Sequence, residues 1–237
     1  MMADFKEEIK VIAFDADDTL WDNQHYYERA EAVFCEELAA YGDAEWLSYE
    51  LFKVETANMD MLGYGAKAFT MSMMETALKI GGDTLPASSL SRILMAGKSL
   101  LEIPATPLPG VVETLAALHG AQKYRLVLFT KGDVLDQRNK LCRSGLSRYF
   151  HRIEIVANKT EREYKDLCIQ IGIREQELLM VGNSFKSDIQ PVLQLGGKAI
   201  HIPFEVTWQH EHAEEFDHER LLRVECIRQI LPVLMQG

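Results

Sequence analysis

The chain has 237 residues, of which 47% are hydrophobic and 26% charged, a composition typical of a folded globular protein and not of a disordered or collagen-like one. Its 36 acidic and 25 basic side chains give a formal net charge of −11, so the surface field repels nucleic-acid phosphates and anionic lipid. We therefore expect no nucleic-acid partner. A small phosphorylated molecule stays possible, because lysines, backbone N–H groups and a divalent cation can reverse the field within one cleft.

The four cysteines are far apart, and none stands at zinc-ligand spacing from a histidine, so we expect reduced thiols. The first ten residues carry charges and lack the apolar run of a secretion signal. No stretch reaches the roughly 18 apolar residues that a membrane helix needs. These features predict a cytoplasmic protein without a membrane partner, and they do not decide its oligomeric state.

The predicted elements begin at residues 9–15, IKVIAFD, where a β-rich run indicates a buried strand with an acidic tip. From about 23 to 98, apolar residues recur at helical spacing, which predicts a block of about four helices. Three prolines at 104–109 then favour a stiff, extended connector. The predicted domains are an α/β core at 1–22 and 105–237 and a helical domain at 23–104.

Beyond the prolines, predicted strands and helices alternate. The predicted strands span 125–130, 152–157, 178–182 and 198–202, the last of the series. The predicted helices span 111–119, 133–143, 161–171 and 187–195, and a closing helix runs from about Leu222 to Pro232. Repeated βα units predict an α/β fold with a doubly wound, mainly parallel sheet and an all-helical domain inserted after the first strand.

Polar side chains follow four of the predicted strands, where ligands bind in doubly wound sheets. They are Asp15, Asp17, Asp18 and Thr19; Thr130, Lys131 and Gly132; Lys159; and Asn183 with Asp188. Carboxylates, hydroxyls, lysines and an amide are the groups that phosphoryl transfer and Mg²⁺ binding require.

These segments, IAFDADDTL, VLFT, Lys159 and VGNSFKSDI, resemble in order and position the four motifs of the haloacid dehalogenase-like (HAD) hydrolase superfamily. The resemblance covers nearly the whole chain and implies a Rossmann-like core whose helical insert is a cap that opens for substrate and closes to exclude water. It further implies a Mg²⁺-dependent phosphatase that acts on a small phosphorylated metabolite. Asp17 favours a phosphatase over a dehalogenase, which needs neither this second acid nor a metal.

The resemblance implies a role for each residue. Asp15 would be the nucleophile that forms an aspartyl-phosphate, Asp17 the general acid and base, and Lys159 a cation that neutralises the reacting groups. Phosphoryl oxygens would be bound by the hydroxyl of Thr130 and the backbone N–H groups of Lys131 and Gly132. Magnesium would be held by Asp15, the main-chain carbonyl of Asp17, Asn183 and Asp188.

Asn183 departs from the family pattern, which commonly has aspartate at this position. An amide oxygen can bind Mg²⁺ but adds no negative charge, so we expect weaker metal binding. Asp188 would then supply more of the negative charge that attracts the cation. Two alternatives stay open: a sugar phosphomutase of the β-phosphoglucomutase type, and a catalytically impaired member that binds a phosphorylated metabolite or a partner protein.

An acidic loop near the C-terminus, TWQHEH, is interpreted as solvated surface. It carries His210, Glu211 and His212, followed by two more glutamates. A functional role of the two histidines near the rim of the cleft is the weaker alternative, and we expect Trp208 to hold the loop to the core.

Overall fold

The computed structural model describes Phe5 and residues 8–206 and 208–235 of the chain. Most of the charged N-terminal segment, at 1–4 and 6–7, lies outside the described residues, as do Thr207 and the last two residues. The chain divides into two compact units. The first contains the chain up to Asp22, Ala105–Lys131 and the chain from Leu141 onward, and the second contains Asn23–Pro104 and Gly132–Lys140.

The first unit is built on a sheet of six strands in the described residues: β1 (Val11–Phe14), β2 (Arg125–Lys131), β3 (Arg152–Val156), β4 (Leu178–Gly182), β5 (Lys198–His201) and β6 (Leu221–Arg223). Their order is β3-β2-β1-β4-β5-β6, and every neighbouring pair is parallel. This arrangement confirms the predicted doubly wound α/β fold.

The helices in chain order are α1 (Gln24–Glu37), α2 (Ala44–Leu62), α3 (Ala66–Gly81), α4 (Ala87–Ser99), α5 (Val111–Ala121), α6 (Val134–Ser144), α7 (Glu161–Ile171), α8 (Gln190–Gln194) and α9 (Ile230–Met235). The first four form the second unit together with the start of α6. They correspond to the predicted helical block. Among the described residues, no helix is both long and apolar enough to cross a membrane.

The central strand β1 is buried on both faces because its side chains alternate between two cores. Ile12 and Phe14 lie in a core with α5 and α9, and Val11 and Ala13 lie in a second core with α7 and α8. Two-sided burial explains why β1 reads in the sequence as an uninterrupted apolar run. The same burial fixes the position of the carboxyl end of β1, which the polar residues follow.

The second unit has an apolar core of its own. Its fully or nearly buried residues include Phe34, Leu47, Leu51, Phe69, Met73 and Ile93. Helices α3 and α4 approach closely at Gly97, where an added Cβ would stand 2.2 Å from Oγ1 of Thr70. The residue at this crossing must therefore be glycine, since even alanine would force the two helices apart.

The closing helix predicted from about Leu222 to Pro232 is wrong at both ends, because the observed helix begins later and continues past Pro232 to Met235. Leu222 lies instead in β6, where it pairs with Ile200 of β5, so the strand at 198–202 is not the last one. Helix α9 begins only at Ile230 and contains Pro232 in its first turn. Proline is tolerated there because backbone N–H groups of the first turn have no partner within the helix.

Candidate active site

The candidate site lies where the strand order reverses, between β1 and β4. Parallel strands of a doubly wound sheet leave a crevice beyond their carboxyl ends at this point. Asp15 follows β1 directly, and its backbone N–H donates a 2.9 Å hydrogen bond to the carbonyl of Val181 in β4. The fold therefore places residues after β1 and after β4 side by side.

Asp15 is buried, and both of its carboxylate oxygens have partners. Oδ1 accepts a hydrogen bond from Nζ of Lys159, and Oδ2 accepts one of 3.1 Å from the hydroxyl of Thr19. Burial raises the pKa of the Asp15 carboxyl to about 7, and the carboxylates of Asp188 and Asp17 raise it too, while Lys159 lowers it. Burial and the neighbouring carboxylates thus disfavour the ionised form of Asp15, whereas Lys159 favours it.

Lys159 joins the tips of three strands. Its ammonium contacts Asp15 after β1 and donates a 2.7 Å hydrogen bond to Oδ1 of Asp188 after β4. Burial by itself lowers the pKa of Lys159, but the two carboxylates outweigh this effect and raise the pKa above its ordinary value. One ammonium between two carboxylates leaves an excess of negative charge when all three are ionised.

A capping box fixes the backbone next to Lys159. Thr160 is the N-cap of α7: its side chain accepts from the backbone N–H of Arg162, and the Glu163 carboxylate accepts from the backbone N–H of Thr160. Capping satisfies backbone donors that the first helical turn leaves without partners. The backbone of Lys159 thus lies between the end of β3 and the capped first turn of α7.

Asp17 follows Asp15 in a turn whose next residue, Asp18, has a φ of 61°. A non-glycine residue in this left-handed region is uncommon and often marks a functional turn. Oδ1 of Asp17 accepts a 2.7 Å hydrogen bond from the indole N–H of the buried Trp21. The backbone closes the same turn, because the N–H of Asp18 donates to the carbonyl of Trp21.

The segment after β4 forms a single π-helical turn, Phe185–Ile189. Such turns occur often at functional sites. Oδ2 of Asp188 accepts a 3.0 Å hydrogen bond from the backbone N–H of Ser184, so both oxygens of this fully buried carboxylate are held. The carboxylate also lies against Gly182, where an added Cβ would stand 2.2 Å from Oδ2 of Asp188.

The side-chain amide of Asn183 admits two orientations. In one, its oxygen lies 3.1 Å from the hydroxyl oxygen of Thr19, whose single proton goes either to it or to Asp15. The same amide oxygen faces Oδ2 of Asp15 and the main-chain oxygen of Asp17 at 3.3 and 3.2 Å. In the other, the amide nitrogen occupies that position, and its two hydrogens face three acceptors, Thr19, Asp15 and the carbonyl of Asp17. The main chain of Asn183 is anchored independently, because Nε2 of His201 lies 2.9 Å from its carbonyl oxygen and donates to it.

The first orientation fits a hard cation. Magnesium holds oxygen ligands at about 2.1 Å in an octahedron, so neighbouring ligand oxygens lie roughly 3 Å apart. The Asn183 oxygen lies at nearly this distance from the oxygens of Asp15 and Asp17, and a cation bound there would remove its repulsion with both. In the described residues, no three His, Cys, Asp or Glu side chains form a metal-binding group, so a cation would depend on the amide and main-chain oxygens.

The end of β2 carries the remaining predicted residues. Thr130 is buried within the strand, and Lys131 is its last residue. The ammonium of Lys131 donates a 2.9 Å hydrogen bond to the hydroxyl of Ser187. Gly132 has a φ of 135°, which favours glycine, and belongs to the second unit.

The interpretation of Glu211 as solvated surface is wrong. This residue lies in a short 3₁₀ turn, Gln209–Glu211, and its carboxylate contacts Lys131, Ser184 and Ser187. Only 11% of its side chain is exposed. The sequence gives no signal that separates Glu211 from Glu214 or Glu215, because all three stand in one acidic loop.

Comparison with known proteins identifies the family. A family model described as haloacid dehalogenase-like hydrolase matches residues 9–196. The crystal structure of a haloacid dehalogenase-like family hydrolase from Xanthomonas campestris is 35% identical, with a TM-score of 0.85 and coverage of 97% of this chain and 93% of that one. The chain therefore belongs to the haloacid dehalogenase-like hydrolase family, and it is a hydrolase.

Two other relatives share less sequence. Glyceraldehyde 3-phosphate phosphatase from Methanothermobacter thermautotrophicus is 24% identical over 219 residues, which are 87% of this chain and 92% of the relative. L-2-haloacid dehalogenase from Xanthobacter autotrophicus has a TM-score of 0.63 at 17% identity, with coverage of 97% of this chain and 99% of that one. The latter similarity concerns the fold alone.

Proposed function

We propose that the protein is a Mg²⁺-dependent phosphatase that hydrolyses a small phosphorylated metabolite through an aspartyl-phosphate. The observation that carries the proposal is the position of Asp15, a buried carboxylate held by Lys159, with a second carboxylate, Asp17, two residues later. A dehalogenase does not need that second acid. Similarity to glyceraldehyde 3-phosphate phosphatase adds support for a phosphomonoester substrate.

In the first step, a carboxylate oxygen of Asp15 attacks phosphorus, a P–O bond to the aspartate forms, and the bond to the leaving alkoxide breaks. Asp17, protonated at this stage, gives its proton to the leaving oxygen. In the second step, the Asp17 carboxylate takes a proton from water while the water oxygen attacks phosphorus. The bond to Asp15 breaks, and inorganic phosphate leaves.

The remaining residues stabilise negative charge. Lys159 neutralises the charge shared by the nucleophile and the phosphoryl group, and Thr130 donates a hydrogen bond to a phosphoryl oxygen. Backbone N–H groups of Lys131 and Gly132 bind the same group. These roles need no movement of Lys159, which already contacts Asp15.

Magnesium, when bound, supplies positive charge that favours the ionised Asp15 and neutralises phosphoryl oxygens. Its ligands would be Asp15, the main-chain oxygen of Asp17, Asn183 and Asp188. We also propose that the helical unit is the cap that selects the substrate.

The test is phosphate release from para-nitrophenyl phosphate, glyceraldehyde 3-phosphate, sugar phosphates and nucleotides, with Mg²⁺ or with EDTA. Asp15→Asn should abolish release, whereas Asp166→Asn, an exposed change of the same chemistry on α7, should not. An isomeric sugar phosphate as product would instead identify a phosphomutase. Binding of inorganic phosphate without turnover of any compound would identify an impaired member.

A further inference from the structure

The carboxylate of Glu211 contacts residues of the candidate site, although no role there is predicted for it from the sequence. Oε1 of Glu211 accepts from Nζ of Lys131, and Oε2 accepts from the hydroxyls of Ser184 and Ser187, the latter at 2.6 Å. Lys131 also donates to Ser187, so the four side chains form a closed network. The backbone adds one link, because Nζ of Lys186 donates to the carbonyl of His210 at 2.8 Å.

The network joins the ends of two strands that are not neighbours in the sheet. Lys131 ends β2, whereas Ser184 and Ser187 belong to the segment after β4, and β1 lies between them. The ladders that link both strands to β1 reach only Leu128 of β2 and Val181 of β4, so they do not directly fix the segments beyond these residues. A side chain that bridges both segments can fix the distance between them.

Each serine in the network is tied to Asp188 or to the turn that carries it. The hydroxyl of Ser184 accepts from the backbone N–H of Ser187, while the backbone N–H of Ser184 donates to Oδ2 of Asp188. Asp188 in turn accepts from Lys159. Displacement of the serines would therefore move a carboxylate that contacts the lysine beside Asp15.

The charge of Glu211 is suited to this position. Burial by itself raises the pKa of the Glu211 carboxyl, but Lys131 and the two serine hydroxyls more than offset this and lower the pKa below its ordinary value. The carboxylate is thus ionised at neutral pH and offers acceptors to three donors. Neutral glutamine would retain the shape but lose the charge that pairs with Lys131.

We propose that Glu211 is a positioning residue for the hydrolytic reaction, which fixes the end of β2 relative to the Ser184–Asp188 turn from a loop outside the four sequence motifs. This inference rests on the proposed function. Glu211 does not contact the reacting atoms; it acts through Lys131 and the two serines. The loop therefore contributes to the chemistry although its sequence resembles solvated surface.

The experiment compares Glu211→Gln with Glu214→Gln, the same change at an exposed position of the same loop. We expect Glu211→Gln to lower kcat about 10- to 100-fold, as loss of a residue that orients catalytic groups does. KM for para-nitrophenyl phosphate should change less than about threefold, and Glu211→Gln, although less stable than Glu214→Gln, should stay folded at the assay temperature. Glu211→Asp, which keeps the charge but is one methylene shorter, should retain an intermediate kcat.

Equal kcat in Glu211→Gln and Glu214→Gln would overturn the inference. A loss of activity in Glu211→Gln that is fully explained by a smaller fraction of folded protein would overturn it too. If Glu211→Gln does not fold, Glu211→Asp provides the same comparison of kcat with the fraction of folded protein. Absence of turnover in the wild-type protein would overturn the proposed function, and the inference with it. If the wild type is active and the Glu211 variants have the same kcat as the wild type, the inference is wrong but the proposed function stands.

Discussion

The indole N–H of Trp21 donates a 2.7 Å hydrogen bond to Oδ1 of Asp17. Trp21 is fully buried, whereas Asp17 is partly exposed, so the ring holds one oxygen of a carboxylate that solvent still reaches. A general acid needs such an orientation, because proton transfer depends on the geometry of donor and acceptor. Trp21 therefore contributes to the orientation of the proposed acid.

Trp21→Phe should lower kcat about 10- to 100-fold with little change in KM, because the hydrogen bond that aligns Asp17 is lost. Loss of this hydrogen bond should also lower the free energy of unfolding by about 0.5–1.5 kcal/mol. Steady-state kinetics and urea unfolding measure both effects. Trp46→Phe, at an exposed tryptophan of the helical unit, is the control, and equal kcat in the two variants would contradict the assigned role.

Gly182→Ala should displace the Asp188 carboxylate, since the new methyl group would overlap Oδ2. We expect at least about a 100-fold loss of kcat, because a shift of about 1 Å in a catalytic group has this effect. The overpacked site should cost about 1–3 kcal/mol of stability. The measurement is kcat together with the thermal midpoint.

Gly120→Ala is the matched control for this substitution. An added Cβ at Gly120 meets no atom within 4 Å, and the residue lies in α5. Alanine should therefore stabilise the helix by about 0.5–1 kcal/mol and leave kcat unchanged. Wild-type activity in Gly182→Ala would show that Asp188 does not need its present position.

Asn183→Asp should make stability depend more strongly on metal. In EDTA, the wild-type amide can donate to Asp15, Asp17 and Thr19, whereas a carboxylate at this position would face oxygens. The variant should therefore have a lower thermal midpoint in EDTA and a larger rise on addition of Mg²⁺, because tighter binding to the folded state stabilises it more. Thermal unfolding across a Mg²⁺ titration measures both.

Asn139→Asp, an exposed change of the same type on α6, controls for the added charge. Its midpoint should respond to Mg²⁺ as the wild type does. A response of Asn183→Asp no larger than that of Asn139→Asp would argue against a metal ligand at position 183.

Glu177 should contribute to stability in a defined pH range. Its carboxylate accepts from Nζ of Lys10 at 2.8 Å and from the backbone N–H of Arg174, and these bonds lower its pKa from 4.5 to about 2. The folded state binds this proton less readily than the unfolded state, so the contribution is full above about pH 4.5 and is lost as the pH falls toward 2. Glu177→Gln should be less stable than the wild type at pH 7, with the difference closing across that range.

Urea unfolding from pH 7 to pH 3 tests this dependence. Glu214→Gln, at an exposed glutamate, should show no comparable convergence with the wild type. A difference between Glu177→Gln and the wild type that stays constant with pH would show that lost packing, and not the ionised carboxylate, causes the destabilisation.

The sequence predicts the central features of the fold because they follow from local patterns. The apolar run of β1 and the acidic residues after it predict both a buried strand and its functional end, and Asp15 indeed lies beside Lys159 and Asp188 after other strands. Parallel sheets bring such ends together whatever the intervening sequence. The catalytic roles of these residues stay predictions.

Features that depend on long-range packing could not be predicted. Leu222 has the spacing of a helix residue, but pairing with β5 makes it part of a strand, since tertiary contacts override local preference in short segments. Glu211 likewise has no local signal, because its burial depends on Lys131, which lies 80 residues earlier. The orientation of the Asn183 amide depends on three neighbours from other parts of the chain or on a cation.

The central position of β1 has a consequence for biosynthesis. Val11 pairs with Arg125 on one side and with Leu178 on the other, so this apolar strand leaves the ribosome long before either partner. The helical unit between β1 and β2 has its own core and can fold first, which shortens the effective loop that must close. One edge of this apolar strand thus stays without its partner until β4 has been made, which makes β1 a segment that chaperones of nascent chains would meet.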